Sequence, residues 1–149
     1  PAGARGSARA ALVSAAAFMS CTGLMFLTLS APLARLYTRD IDVLTVAAAL
    51  IPIAGVFQVF DGLQTVAGGI LRGLGHTRAP MVVNLLGYWM LGLPVSAYLG
   101  FVLRLGPAGL WWGLVLGLGV VATFLLIRVR IGLARQQTRV VIDLPAATR

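Results

Sequence analysis

The chain has 149 residues, 59% hydrophobic and only 11% charged, and a formal net charge of +8. A soluble domain carries about 25% charged residues to face water. At less than half of that, a soluble globular enzyme is excluded, and an all-α membrane protein is expected. The positive balance leaves three readings to separate: nucleic acid, an anionic membrane surface, or membrane topology.

Arg5 and Arg9 precede an uncharged run over 10–34. A cleaved secretory leader has an apolar region of about 7–15 residues, so this run is too long for one. It suffices for a membrane span, which takes about 20 apolar residues. Pro1 replaces an initiator Met, which gives the expectation of a piece of a longer protein, with 1–9 as a cytoplasmic connector. Cys21 lies inside the run and is expected to be a buried, inert thiol. A single Cys makes no internal disulfide or Cys-rich metal site, and a single His, His76, makes no clustered-His site.

Three more spans follow: 43–71, interrupted only by Asp61, then 79–103, then 105–127. The connectors are short, so neighbouring helices should be antiparallel. The arginines then sort by side. Arg5, Arg9, Arg72, Arg78, Arg128, Arg130, Arg135, Arg139 and Arg149 share one face, against Arg35, Arg39 and Arg104 on the other. The positive-inside rule puts both termini in the cytoplasm, at a plasma (inner) membrane. Nucleic acid is thereby set aside as a partner, because long apolar spans separate the arginines. The basic tail, 128–149, either lies on anionic lipid or is an ordinary stop-transfer tail. Trp111 and Trp112 are expected to be interfacial anchors.

The second span carries the chemistry. Asp61 is the only Asp, Glu, Lys, Arg or His within any span. It lies about 16 Å from Arg72 along the helix, near the midplane of a core about 30 Å thick. An Asp at that depth costs roughly 2.5–3.5 kcal/mol, and such residues mark ion or proton paths. It can hold a proton or a cation and exchange one for the other. Gln58, Asp61, Thr65 and Gly68 form one helical stripe, with Gln64 beside it. Pro52, a little over two turns earlier, is expected to kink the helix. The structural alternative is that Gln58 and Asp61 serve in interhelical hydrogen bonding, with Pro52 a tolerated kink. In the third span Asn84 and Tyr88 share a face, either lining a cavity or bonding between helices. Gly109, Gly113 and Gly117 give the fourth span a small-residue packing face.

Between the second and third spans the chain reads Arg72-Gly73-Leu74-Gly75-His76-Thr77-Arg78. Arg72 complements the helix dipole, Gly73 or Gly75 can end the helix in the left-handed region, and Thr77 can cap the next one. The Gly-x-Gly is not a phosphate loop, since it follows no strand and lacks the Gly-Lys-Ser/Thr ending.

The stretches Phe57-Gln58-Val59-Phe60-Asp61-Gly62-Leu63-Gln64, Gly69-Ile70-Leu71-Arg72-Gly73-Leu74-Gly75 and Thr77-Arg78-Ala79-Pro80 together resemble the multidrug and toxic compound extrusion (MATE) transporters. Leu36-Tyr37-Thr38, Gly87-Tyr88-Trp89, Leu93-Pro94 and Gly109-Leu110-Trp111-Trp112-Gly113-Leu114 add to the resemblance, which runs from about residue 8 to about residue 130. It implies the last four of twelve spans, part of the C-terminal six-helix lobe of an antiporter. It further implies export of organic cations and drugs in exchange for sodium ions or protons, by alternating access. Asp61 falls on the family's acidic position in the tenth span, with its companion acids on an earlier helix, in the missing N-terminal part. His76 stands where the family usually has Asp.

Two rival functions differ in class or cargo. One is a lipid-linked oligosaccharide flippase of the same wider superfamily; the other is a small four-helix membrane scaffold with no transport. An enzyme is not expected, because Asp61 has no His, Cys or Glu partner in any span for acid–base work. No cofactor is expected beyond the coupling ion, and no metal beyond a sodium ion at Asp61.

Overall fold

The computed structural model describes residues 2–142, with side chains described over 3–134. Four helical segments in it are long and apolar enough to cross a membrane, and no strand occurs among the described residues. Helices are the only open-ended answer to a bilayer, since they satisfy every backbone N–H and C=O within the segment.

The first crossing is α1, Ala2–Thr28, followed by the short α2, Ser30–Tyr37. The uncharged run over 10–34 is therefore two helices rather than one. Leu29 leaves the helical region at φ −113, ψ 22. The cause is Pro32, which has no N–H to give the carbonyl of Thr28 four residues earlier, and whose ring collides with that carbonyl. Residues 3–9, expected as a connector, are the first turns of α1.

The second crossing, α3, spans Ile41–Gly73. Asp40 caps it, with Oδ1 accepting from the N–H groups of Asp42 (2.9 Å) and Val43 (3.4 Å). The helix continues through Pro52 without a break. It ends in a Schellman turn: the N–H of His76 donates to Leu71 O (2.9 Å) and that of Gly75 to Arg72 O (3.0 Å). Gly75, at φ 82, takes the left-handed position; Gly73 is still helical.

The third crossing starts as α4, Arg78–Leu86. It then loosens into a π-helical stretch, Gly87–Gly92, resumes as α5, Leu93–Ala97, and loosens again over Tyr98–Val102. Thr77 precedes α4 without capping it through its side chain. Its backbone is helical, at φ −78, ψ −35, whereas a cap needs the extended region. The third helical residue, moreover, is Pro80, which has no N–H to offer. A turn with Arg104 at φ 55 and Gly106 at φ 59 leads into α6, Gly106–Ile142. That helix passes Arg128 and Arg130 without a break. Arg149 lies outside the described residues, and so do the side chains of Arg135 and Arg139.

The helix α3 is the hub, packing along α1 on one side and α6 on another, while α6 also packs along the third crossing. Ala67, Leu71, Val121, Leu125 and Val129 form the buried core, with Val83 of α4 packed against it. Lipid is as apolar as leucine, so close van der Waals packing must supply the attraction. Small residues set that closeness. A Cβ on Gly117 would lie 2.6 Å from Gly92 Cα, and one on Gly113 would overlap the backbone of Ser96. Gly23 and Gly55 meet in the same way where α1 crosses α3.

Candidate functional site

Around the helical wheel, α3 shows three different surfaces. Gly55, Gln58 and Gly62 face α1, while Ala67 and Leu71 face the core with α6. Asp61, Gln64 and Gly68 lie between, on the side of the third crossing, where a Cβ on Gly68 would be 3.7 Å from Pro80 Cβ. From that contact the third crossing runs antiparallel to α3, packing mainly on α6. By helical rise, Asn84 lies one turn and Tyr88 about two turns beyond Pro80, at roughly the depths of Gln64 and Asp61. The Asp61 carboxylate lies within electrostatic reach of the Tyr88 hydroxyl.

Asp61 Oδ1 accepts a hydrogen bond from Gln64 Nε2 at 3.2 Å. The remaining capacity of the group is unspent. Gln64 Oε1 and Asn84 Oδ1 are both buried with no hydrogen-bond partner, and a buried polar group left in that state costs about 1–3 kcal/mol. The site therefore has a surplus of oxygen acceptors, one of them charged. It is completed by what brings donors or positive charge: water, a proton, a hard cation or an ammonium group. A sodium ion fits that donor set, which is all oxygen. No group of three or more His, Cys, Asp or Glu occurs among the described residues, so the amide carbonyls would supply much of the coordination.

The expected polar stripe splits. Gln58 makes the interhelical bond of the structural alternative: its Nε2 donates to Thr22 Oγ1 (2.9 Å) and to Met19 O (3.4 Å) on α1. Its role is to join two helices, and Thr22 and Met19 are the partners that spacing along α3 could not reveal. Thr65 is exposed and has no side-chain partner in the site. Sequence reading also passed over Ser96, the one buried polar residue among the described side chains, whose Oγ donates to Leu110 O. Its signal was present in Gly113, which faces it. Two further expectations change. Cys21 is exposed, on a face of α1 turned away from α3. Trp111 is half-buried and stands edge-on to Phe57, ring centres 5.9 Å apart, so only Trp112 projects outward.

The family model MatE matches residues 1–98. The chain belongs to the MatE family. It is 42% identical over 127 residues to a "Probable multidrug resistance protein NorM" of Burkholderia pseudomallei, covering 82% of this chain and 27% of that protein. It is 36% identical over 131 residues to the "Multidrug resistance protein MdtK" of Edwardsiella ictaluri, covering 85% and 29%. A "Probable multidrug resistance protein NorM" of Brucella suis is 44% identical over 110 residues, covering 74% and 22%. The chain thus spans about a quarter of the length of the curated relatives it matches. Family and helices together make it an integral membrane protein.

Proposed function

We propose that this chain is part of a multidrug efflux antiporter that exports organic cations and drugs in exchange for sodium ions or protons by alternating access. Asp61 is its coupling residue. The observation that carries the reading is the single carboxylate within the spans, bonded to Gln64 Nε2, in a part of the bundle where the carbonyls of Gln64 and of Asn84 on the third crossing are buried without partners. Exchange follows from competition for one charge. A proton or sodium ion on Asp61 neutralises it and removes the attraction for a cationic substrate; a bound cation does the same to the proton. Gln64 and Asn84 supply oxygens to whichever species is bound, and Tyr88 forms an aromatic wall beside it.

The relatives' names as multidrug resistance proteins support drug export over a lipid-linked sugar as cargo. The asymmetry of the arginines supports both ends of the chain lying in the cytoplasm. The test is efflux of a cationic dye by the whole transporter carrying Asp61→Asn, under an imposed sodium or proton gradient. Gradient-driven efflux should be lost while the protein still reaches the membrane. Unchanged efflux would sink the assignment.

A further inference from the structure

At the end of the bundle that carries the α3–α4 loop, Leu71, His76, Ala79, Arg128, Ile131 and Gly132 line a partly enclosed notch of about 30 Å³. That is room for one or two oxygen atoms. The grooves along the helix flanks, by contrast, have almost wholly apolar walls. The notch is built rather than incidental. The Schellman turn fixes the backbone of His76 through its bond to Leu71 O. Arg128 is held over the ring of Phe124, its guanidinium carbon 5.6 Å from the ring centre. Gly132 leaves the wall open; a Cβ there would come 3.1 Å from Leu74 Cδ1. Because Thr77 gives no side-chain cap, the first-turn N–H groups of α4 beside Ala79 have no side-chain acceptor, and the positive end of that helix dipole points the same way.

Among the described residues, no acid stands at this end. Arg72, Arg78, Arg128 and Arg130 all lie there. Of the described acids, Asp40 and Asp42 sit at the opposite end of α3, about 50 Å away along a helix of 33 residues, and Asp61 is about 16 Å from Arg72. Leu71 and Ile131 mark the level where the apolar spans end, the depth of lipid phosphates.

We propose that the notch between His76 and Arg128 is a binding site for an anionic phospholipid headgroup, seating a phosphate oxygen. The size suits an oxygen of a phosphate whose remainder stays outside, and the lipid tails would run down the apolar flanks of α4 and α6.

The test is direct binding by the purified protein in neutral detergent micelles, with phosphatidylglycerol, phosphatidylcholine and inorganic phosphate as separate probes. The variants are Arg128→Gln and His76→Asp, with Arg35→Gln at the opposite end as a control. Phosphatidylglycerol should bind more tightly than phosphatidylcholine. Arg128→Gln should weaken it about fivefold, the worth of one arginine at a lipid surface, and His76→Asp at least as much, with Arg35→Gln unchanged. The exposed loop position of His76 keeps the test usable if Arg128→Gln fails to fold. Inorganic phosphate binding at the same residues without any preference for phosphatidylglycerol would assign the notch to soluble phosphate and overturn the lipid. Equal binding of both lipids, or His76→Asp binding like the native protein, would overturn the site itself.

Discussion

Replacing Gly113 with alanine should destabilise the bundle, whereas the same change at Gly69 should stabilise it. At Gly113 the new Cβ would overlap the backbone of Ser96 and stand 2.8 Å from Ser96 Cβ. Ordinary carbon contacts lie near 3.5–4.0 Å, so α6 and α5 must separate by about 1 Å or more. Overpacking of this kind costs about 1–3 kcal/mol, and backbone on the far side leaves no side chain to swing away, so the upper end applies. Separation also stretches the bond from Ser96 Oγ to Leu110 O, worth about 0.6 kcal/mol between membrane helices. Gly69, by contrast, lies within α3 with nothing within 4 Å of its Cβ position. Alanine there reduces the freedom of the unfolded chain and should add about 0.4–1 kcal/mol. The assay is loss of helical circular dichroism as sodium dodecyl sulfate is titrated into dodecyl maltoside micelles. The two midpoints should move in opposite directions. A Gly113→Ala protein as stable as the native one would refute the close approach of α5 and α6.

Three more outcomes can be read by simple measurements. Thr77→Ala should cost less than about 0.5 kcal/mol in the same titration, while Asp40→Ala should cost about 1 kcal/mol, because only Asp40 makes its cap bonds. Gln58→Leu should cost about 0.6–1.7 kcal/mol through loss of the bond to Thr22; a stabilised variant would show that the bond does not join α1 to α3. Pro32→Ala should let α1 and α2 fuse into one helix. Spin labels on Cys21 and on a cysteine at position 36 would then report a single distance near 22 Å along the axis, and an unchanged distance distribution would mean that Pro32 does not cause the break.

The sequence by itself determined that this is a membrane protein of four apolar crossings, because too few charges are present to face water and a bilayer demands long uncharged runs. It also singled out Asp61, since a lone carboxylate in such a run stands out without any coordinates. Local chemistry was legible where a few adjacent residues decide it: Gly73 or Gly75 had to end α3, because a residue free to adopt positive φ closes that turn, and the structure uses Gly75. Pro32 was equally readable, yet hydropathy averages over its effect, and the break at Leu29 was passed over. What the tertiary structure decided is which neighbour each face meets. Gln58, Asp61 and Thr65 look alike on a helical wheel, but α1 claims Gln58, the third crossing flanks Asp61, and Thr65 is left exposed. Spacing along one helix fixes the angles between its side chains. It does not say which helix stands at each angle, and only the packing of small residues across two interfaces sets that.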